Sequence, residues 1–260
     1  EREYLSTCPA HVRDLSRPVR ERSVNTVNCM LRKIRALLNW CVSRGYLEKS
    51  PFDSYHIGGE LYGTPVCMTN DEVLKLYHHE FDSPSLSQQR DVFVFQCNIG
   101  CRVSDLMRLT AANVSNGCIS YIPQKTMRTN VRTVTVPMNA IARAIFRKYA
   151  DAKPDGRERV LPCISVQKYN TAIKHMLRKA GITRPVTVLD PLTRTEKSIP
   201  ICDMASSHMA RRTFVNNIYR HVKDPALVAA LTGHSEGSKA FSRYRAIDDD
   251  VKRELVGFLE

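Results

Sequence analysis

The sequence predicts a mainly α-helical chain with a small antiparallel β-sheet, an α+β fold. Most of its 260 residues fall into amphipathic segments whose apolar side chains recur every three or four positions and whose ends carry helix-capping residues. One stretch, CISYIPQKTMRTNVRTVTVP, instead has two β-branched or aromatic runs around a polar turn. With 43% hydrophobic residues, the chain can bury one good core and a second small one.

The N-terminal part predicts a small helical domain. Residues 24–44 form an amphipathic helix that ends at Gly45, and we expect its apolar stripe to be core. The segment SPFDSYHIGGELYGTPV, rich in Gly, Pro and Tyr, then interrupts the helical pattern. We therefore expect a helical domain over residues 1–59, a linker over 60–66 and a larger domain over 67–260. The stripe consists of Val24, Val27, Leu31, Ile34, Leu38 and Val42.

The larger domain is predicted to begin with helices whose ends are marked by capping residues. Thr69 and Glu72 form a capping box, and the apolar run DVFVFQCN ends at Gly100. Because Ser104 and Asp105 can start the next helix, Arg102 falls on a short junction between two helices. The strand-like runs CISYIP and RTVTVP follow, with Lys125 in the turn between them. Further helices are predicted over residues 139–150, 165–180, 207–220, 224–232 and 248–259, whereas residues 183–203 fit either a second hairpin or a flexible flap.

The positive charge is concentrated in the middle of the chain. The net charge is +13, and residues 101–200 alone hold 18 basic and six acidic side chains. A localised basic field attracts polyanions. A solubilising surface is the alternative interpretation, but nucleic acid is favoured because the same stretch contains Arg102 and Lys125.

The nine cysteines lack the paired spacing of a zinc site and imply no disulfide framework. Most lie among apolar residues, so we expect buried, reduced thiols and a cytoplasmic protein. There is no apolar run long enough to cross a membrane, and no membrane partner is expected. Because position 1 is Glu rather than Met, we expect a fragment whose first domain is incomplete.

Chemistry-bearing residues recur in order toward the C-terminus. His208 and Arg211 in SSHMARRTF are followed by His234 in LTGHSEGS and by Tyr244 in FSRYRA. A phenol with a pKa of about 10 attacks a phosphodiester only if a neighbouring group takes its proton and cations stabilise the transition state. Histidine and arginine meet those two needs. The pattern therefore indicates a tyrosine nucleophile acting on a phosphodiester.

Each candidate residue also has an ordinary structural interpretation. Arg102 and Arg211 are suited to bind non-bridging phosphate oxygens, but an arginine at a helix junction is often a capping group. Lys125 can protonate a departing 5′ oxygen or can be a solvated turn residue. His234 follows a helix C-terminus, where the dipole favours imidazolium, and a simple cap is the competing role. Tyr244 lies between two arginines rather than in an apolar stripe, which favours a phenol facing phosphate.

These motifs are far more specific in this order along the chain than any one of them is alone. An arginine after Gly-Cys, a lysine in a hairpin, His-x-x-Arg-Arg-Thr-Phe, Gly-His and then tyrosine resemble the tyrosine recombinases, the phage-type integrase family, which includes integrases of conjugative transposons. The resemblance covers about residues 64–256 as the catalytic domain. Residues 1–59 resemble the later helices of the family's core-site binding domain.

The resemblance implies strand cleavage by Tyr244 through a 3′-phosphotyrosyl intermediate, without metal or nucleotide cofactor. It implies that Arg102, His208, Arg211 and His234 bind and activate the phosphate, and that Lys125 is the general acid. The implied partners are double-stranded DNA attachment sites, three further protomers in a homotetramer and an accessory DNA-bending or excision factor, in the nucleoid. The last predicted helix would pack either on a neighbouring protomer or on its own domain.

Two other functions remain open at this stage. A type IB topoisomerase-like enzyme uses the same chemistry but rejoins its own strand. A DNA-binding regulator needs neither Tyr244 nor the two histidines. A hydrolytic nuclease has less support, because no Asp and Glu cluster with two-metal spacing lies near the basic residues.

Overall fold

The computed structural model describes residues 2–15, 21–128, 131–150, 159–190, 192–222, 224–233 and 256–257. The chain divides into two compact units. The first comprises Glu1–Gly63 with Val188–Lys197, and the second comprises Thr64–Thr187 with Ser198–Glu260. Helices predominate, with one three-stranded and one two-stranded sheet among the described residues, which confirms the predicted fold class.

The first unit contains helices α1 (Arg2–Thr7), α2 (Ala10–Leu15) and α3 (Val24–Ser43). The predicted start and end of α3 are confirmed within one residue. Two asparagines of α3 hold the extended segment that follows it. Asn28 Nδ2 donates to the carbonyl oxygens of Gly58 and Gly59 at 3.1 and 3.2 Å, and Asn25 Oδ1 accepts from the Leu61 amide at 2.9 Å.

The apolar stripe of α3 is not core, so that part of the prediction was wrong. Val27 and Ile34 are 40% and 47% exposed, and the other members of the stripe are half-buried. Asn28 is the buried residue of this helix. Periodicity reveals that a helix has an apolar face, but it carries no information on whether another element covers that face.

The second unit begins with helices whose ends agree with the capping residues. Thr69 and Glu72 form the predicted capping box, and Gly100 ends the second helix in the left-handed conformation. The elements are α4 (Asn70–His78), α5 (Pro84–Ile99), α6 (Val103–Leu106), a 3₁₀ turn (Ala111–Asn113), β1 (Val114–Ser115), β2 (Cys118–Tyr121), β3 (Val134–Pro137), α7 (Ala140–Ala150), α8 (Val166–Lys179), β4 (Pro185–Leu189), β5 (Glu196–Pro200), α9 (Ile201–Met204), α10 (Ser207–Val222) and α11 (Pro225–Thr232).

Helix α5 is the centre of the core. Val92, Phe93, Val94 and Phe95 are consecutive and all buried, so this helix is covered on every side rather than on one stripe. It packs against α4, α7, α8 and α10. Helix α10 carries two of the predicted site residues. It therefore packs directly against the most buried element of the unit.

The three-stranded sheet has the order β1-β2-β3 and is antiparallel. Ile119 pairs with Val136 and Tyr121 pairs with Val134, and all four side chains are buried. Because side chains alternate between the two faces of a strand, the Tyr121 side chain shares the buried face of β2 with Ile119. Strands β4 and β5 pair as a second sheet, so residues 183–203 contain the hairpin rather than the flap.

Five predicted helices lie within the second half of the chain. Those over residues 139–150, 165–180, 207–220 and 224–232 are confirmed as α7, α8, α10 and α11. The helix predicted over residues 248–259 lies outside the described residues except for 256–257. All nine cysteines are free, but only Cys97, Cys101 and Cys202 are buried, fewer than predicted. No helix in the described ranges has both the length and the apolarity needed to cross a bilayer.

Candidate active site

The junction between α5 and α6 positions Arg102. Gly100 adopts a φ of +69°, and its amide donates to the Gln96 carbonyl oxygen at 2.8 Å, which closes α5. Arg102 is the N-terminal cap residue of α6, as its carbonyl oxygen accepts from the Asp105 and Leu106 amides. The predicted placement of Arg102 between two helices is confirmed, although α6 starts at Val103 rather than at Ser104.

A buried network of hydrogen bonds supports the junction between α5 and α6. The Tyr169 hydroxyl donates to Gln96 Oε1 at 3.1 Å, and Gln96 Nε2 donates to the Cys101 carbonyl oxygen at 3.1 Å. Tyr169 and Gln96 are at most 1% exposed. A buried amide that is satisfied on both sides holds its partners firmly. The backbone at Cys101, which precedes Arg102, is thereby linked to α8 as well as to α5.

Arg211 connects three elements. This side chain is only 1% exposed; its Nη1 donates to the Gly100 carbonyl oxygen at 2.8 Å and its Nη2 donates to the Thr232 carbonyl oxygen at 2.7 Å. Both acceptors are carbonyls at helix ends, which carry partial negative charge. The guanidinium on α10 thus joins the end of α5 to the end of α11.

The end of α11 is closely packed. Gly233 has a φ of +65°, and a Cβ atom at this position would approach Val134 Cγ2 to 2.6 Å. Thr232 Oγ1 donates back to the Val228 carbonyl oxygen at 2.8 Å. The backbone immediately before His234 is therefore held against β3 and bonded to Arg211.

His208 lies one helical turn before Arg211 on α10. Its pKa is lowered from 6.5 to about 4, first by partial burial and then by the positive charges of Arg212, Arg211, Arg102 and Lys125. Histidine near several cations resists protonation because its charged form is repelled. The positive charges that act on the imidazole put Arg102, Lys125 and Arg211 within electrostatic reach of His208. At neutral pH the imidazole is uncharged and can accept a proton.

The β2–β3 connection is attached to α6. The Gln124 amide donates to Asp105 Oδ1 at 2.9 Å, and the Thr126 amide donates to the Pro123 carbonyl oxygen at 3.1 Å. Lys125 lies between these two bonded residues with its side chain exposed. The hairpin thus presents an exposed ammonium group from a backbone that is fixed to the helix carrying Asp105.

Tyr121 and Asp105 belong to this site but were not predicted. Asp105 is 4% exposed and Tyr121 is 7% exposed, and both line a groove of about 480 Å³ beside β2. Burial raises the pKa of the Tyr121 phenol, Asp105 adds to the rise, and Arg211 and Arg102 oppose it. A tyrosine in a strand-like run gives no functional signal in the sequence, and the sequence indicates Asp105 only as a residue that starts a helix.

His234 and Tyr244 lie outside the described residues, so their predicted roles remain predictions. What the described part of the site contains is a neutral imidazole among four cationic side chains. Cations of this kind can bind phosphate oxygens, and a neutral imidazole can accept a proton. Within the described ranges, no cluster of three His, Cys, Asp or Glu residues forms that could hold a metal ion.

Comparison with known proteins identifies relatives at the level of family and fold. A family model described as the phage integrase family matches residues 67–250. No curated protein sequence matches the chain. A fragment of the Tn1549 transposon integrase, in complex with circular intermediate DNA, is similar with a TM-score of 0.61 and 16% identity over 90% of this chain and 79% of that one.

Two further solved structures share the fold. The lambda integrase dimer bound to a COC′ core site has a TM-score of 0.59 and 16% identity, covering 95% of this chain and 87% of that one. The XerH recombinase, in a post-cleavage complex with palindromic difH, has a TM-score of 0.53 and 17% identity over 74% of this chain. The chain spans about half, 53%, of the XerH chain.

Proposed function

The chain belongs to the phage integrase family, and from that premise we propose that it is a site-specific DNA recombinase that cleaves and rejoins strands through Tyr244. The observation that carries the proposal is that Arg211 Nη1 donates to the Gly100 carbonyl oxygen at 2.8 Å, which holds the junction of Arg102 against the helix that carries His208. A proton acceptor surrounded by fixed cations is what a phenol needs in order to attack a phosphodiester.

The proposed cleavage step uses each residue once. The Tyr244 oxygen forms a bond to phosphorus while the bond from phosphorus to the 5′ oxygen breaks. The phenolic proton passes to His208, and the departing 5′ oxygen takes a proton from Lys125. The products are a 3′-phosphotyrosyl linkage and a free 5′-hydroxyl. No metal or nucleotide is consumed, because the number of phosphoester bonds is unchanged.

Charge stabilisation is assigned to the two arginines and to His234. Negative charge grows on the non-bridging oxygens as the phosphorus becomes five-coordinate, and preorganised guanidinium groups stabilise it without reorganising. Arg102 is half-buried, whereas Arg211 is buried and bonded to two carbonyls. We therefore assign the more direct phosphate contact to Arg102, and to Arg211 both charge and the placement of its neighbours.

The proposed partner is double-stranded DNA with a specific attachment site. Residues 101–200 carry 18 basic side chains against six acidic ones, and the solved relatives include complexes with circular intermediate DNA, a core site and difH. A homotetramer on DNA, an accessory DNA-bending or excision factor and a place in the nucleoid belong to the same proposal. So does the division into a DNA-binding domain over residues 1–59, a linker over 60–66 and a catalytic domain over 67–260.

Trapping the covalent intermediate tests this function. The protein is incubated with a pool of duplexes in which randomised sequence flanks one nick at a fixed position, so that cleavage close to the nick releases a short 5′-hydroxyl fragment and the adduct accumulates. Adducts are isolated under denaturing conditions and their DNA is sequenced. We expect adducts with one recurrent DNA sequence, and none from Tyr244→Phe. Tyr219→Phe, which removes a hydroxyl on α10 instead, is the matched control and should retain them.

Other outcomes distinguish the alternatives. Adducts of unrelated sequence, together with relaxation of supercoiled plasmid, would point to a topoisomerase. DNA binding without any adduct would point to a regulator. Equal adduct yields from Tyr244→Phe and the unsubstituted chain would remove Tyr244 from the mechanism.

A further inference from the structure

Arg102, Asp105 and Tyr121 each have one buried polar atom that lacks a hydrogen-bond partner among the described residues. These atoms are Arg102 Nη1, Asp105 Oδ2 and the Tyr121 hydroxyl. Leaving a polar group buried and unsatisfied is costly, and native proteins seldom keep several together without a reason. Their positions in one site therefore call for an explanation in terms of its chemistry.

The three atoms are chemically complementary. A guanidinium only donates, an ionised carboxylate only accepts, and a phenol does both. Arg102 Nη1 can therefore donate to the Tyr121 oxygen while the Tyr121 hydroxyl donates to Asp105 Oδ2. Because the phenol both donates and accepts, one chain of two hydrogen bonds can satisfy all three atoms.

The surrounding structure relates the three residues in pairs. Asp105 lies one turn after Arg102 on α6, and Asp105 and Tyr121 line the same groove. Burial raises the pKa of Tyr121, and the charge of Asp105 adds to the rise while that of Arg102 opposes it. The other carboxylate oxygen, Asp105 Oδ1, is already anchored by the Gln124 amide at 2.9 Å.

We propose that Tyr121 is a positioning residue, which links Arg102 to Asp105 in a hydrogen-bond relay when Arg102 engages the scissile phosphate. The relay runs from Arg102 Nη1 to the Tyr121 oxygen, and from the Tyr121 hydroxyl to Asp105 Oδ2. Through Asp105 Oδ1 it reaches the Gln124 amide, next to Lys125. It therefore couples the orientation of the phosphate-binding guanidinium to the hairpin that carries the general acid. This inference rests on the proposed function.

Tyr121 is not a second nucleophile in this scheme. Burial holds its pKa above the ordinary value of 10, so the phenol keeps its proton. A protonated phenol fits a donor to Asp105 and does not fit attack on phosphorus.

The test combines stability with single-turnover cleavage of the nicked duplex recovered from the adduct selection. Tyr121→Phe removes one unsatisfied oxygen, so its melting temperature should equal or exceed that of the unsubstituted chain. Cleavage should slow roughly tenfold, the size expected for one hydrogen bond, while the Kd for the duplex stays within about twofold. Asp105→Asn, which keeps an oxygen for the Gln124 amide, should show the same split. The double variant should be no slower than the slower single variant.

Tyr169→Phe is the matched control, because its hydroxyl is satisfied by Gln96 and should cost stability when removed. A Tyr121→Phe chain that melts early like this control would make Tyr121 a structural residue. Two results would overturn the relay. One is cleavage by Tyr121→Phe at the rate of the unsubstituted chain, and the other is a double variant whose cleavage slows by the product of the two single-variant factors. If the unsubstituted chain forms no adduct, the proposed function fails, and the relay fails with it.

Discussion

The Gly100 carbonyl oxygen accepts a hydrogen bond from Arg211 Nη1 at 2.8 Å, across 111 positions of sequence. Gly100 also packs against the next turn of α10, the helix that carries Arg211. A Cβ atom on Gly100 would lie 2.2 Å from Phe214 Cδ1. One residue thus ends α5, receives the Arg211 guanidinium and allows α10 to approach. Arg102 follows two positions later, so the distance between the two arginines depends on this contact.

Gly100→Ala should destabilise the protein strongly. The substitution places a Cβ in a left-handed conformation and inside the Phe214 ring, and we expect a loss of about 2–4 kcal/mol in the free energy of unfolding. Urea denaturation measures it. Gly117→Ala is the matched control, because Gly117 has a φ of +73° but nothing within 4 Å of the added Cβ, and should cost only about 1 kcal/mol. Equal losses for the two variants would mean that backbone strain, not the contact with Phe214, decides the cost.

Arg211→Lys should impair both stability and cleavage. An ammonium group keeps the charge but lacks the planar fork that donates to the Gly100 and Thr232 carbonyls together. At least one buried carbonyl loses its donor, so the free energy of unfolding should fall by about 2 kcal/mol. Cleavage of the nicked duplex should fall roughly 100-fold or more, as for a lost transition-state donor. Arg143→Lys, on the exposed side of α7, should change neither quantity. An unfolding curve for Arg211→Lys that superposes on that of the control would refute the linking role.

Much of this architecture is local and was therefore predictable. Capping residues such as Thr69, Gly100 and Gly233 act on their own helix ends, and the runs around Lys125 alternate as strands do. The order of the site residues indicated the chemistry because it needs only residue types and spacing. None of these predictions required knowing which element packs on which.

The remainder depends on tertiary packing. Gln96 stands in an apolar run, and its partners Cys101 and Tyr169 come from two different segments. The bond from Gln124 to Asp105 likewise joins residues 19 positions apart. Arg211 was predicted as a phosphate clamp, but its bonds to two carbonyls follow from the meeting of three helices. The exposed stripe of α3 is the converse case, in which a strong local pattern was assigned a burial that it does not have.

Gln96→Leu should show how far the buried network supports the junction. Leucine is similar in size but leaves the Tyr169 hydroxyl without an acceptor and the Cys101 carbonyl without this donor. We expect the free energy of unfolding to fall by about 2–4 kcal/mol, with an unchanged denaturant slope. Adding Tyr169→Phe removes the orphaned hydroxyl, so the double variant should be more stable than Gln96→Leu alone. Strict additivity of the two losses would show that the two groups do not act as one network.

The lowered pKa of His208 gives the protein a defined acid sensitivity. The unfolded chain binds this proton near pH 6.5, whereas the folded chain binds it only near pH 4. Between those values the unfolded state holds more protons, so stability contributed by the neutral imidazole is complete above pH 6.5 and is lost as pH falls toward 4. Below pH 4 both states are protonated and the loss stops growing.

His208→Gln isolates this effect, because glutamine does not titrate. Above pH 6.5 the unfolding free energies of His208→Gln and of the unsubstituted chain should change with pH in parallel. Between pH 6.5 and 4 the unsubstituted chain should lose more stability than His208→Gln. The NMR signal of the His208 imidazole is identified as the one that is missing from His208→Gln, and we expect it to titrate near pH 4. In Lys125→Gln the same signal should titrate at higher pH, because one of the four repelling cations is removed. A His208 signal that titrates at pH 6.5 or above would contradict the cationic neighbourhood of this imidazole.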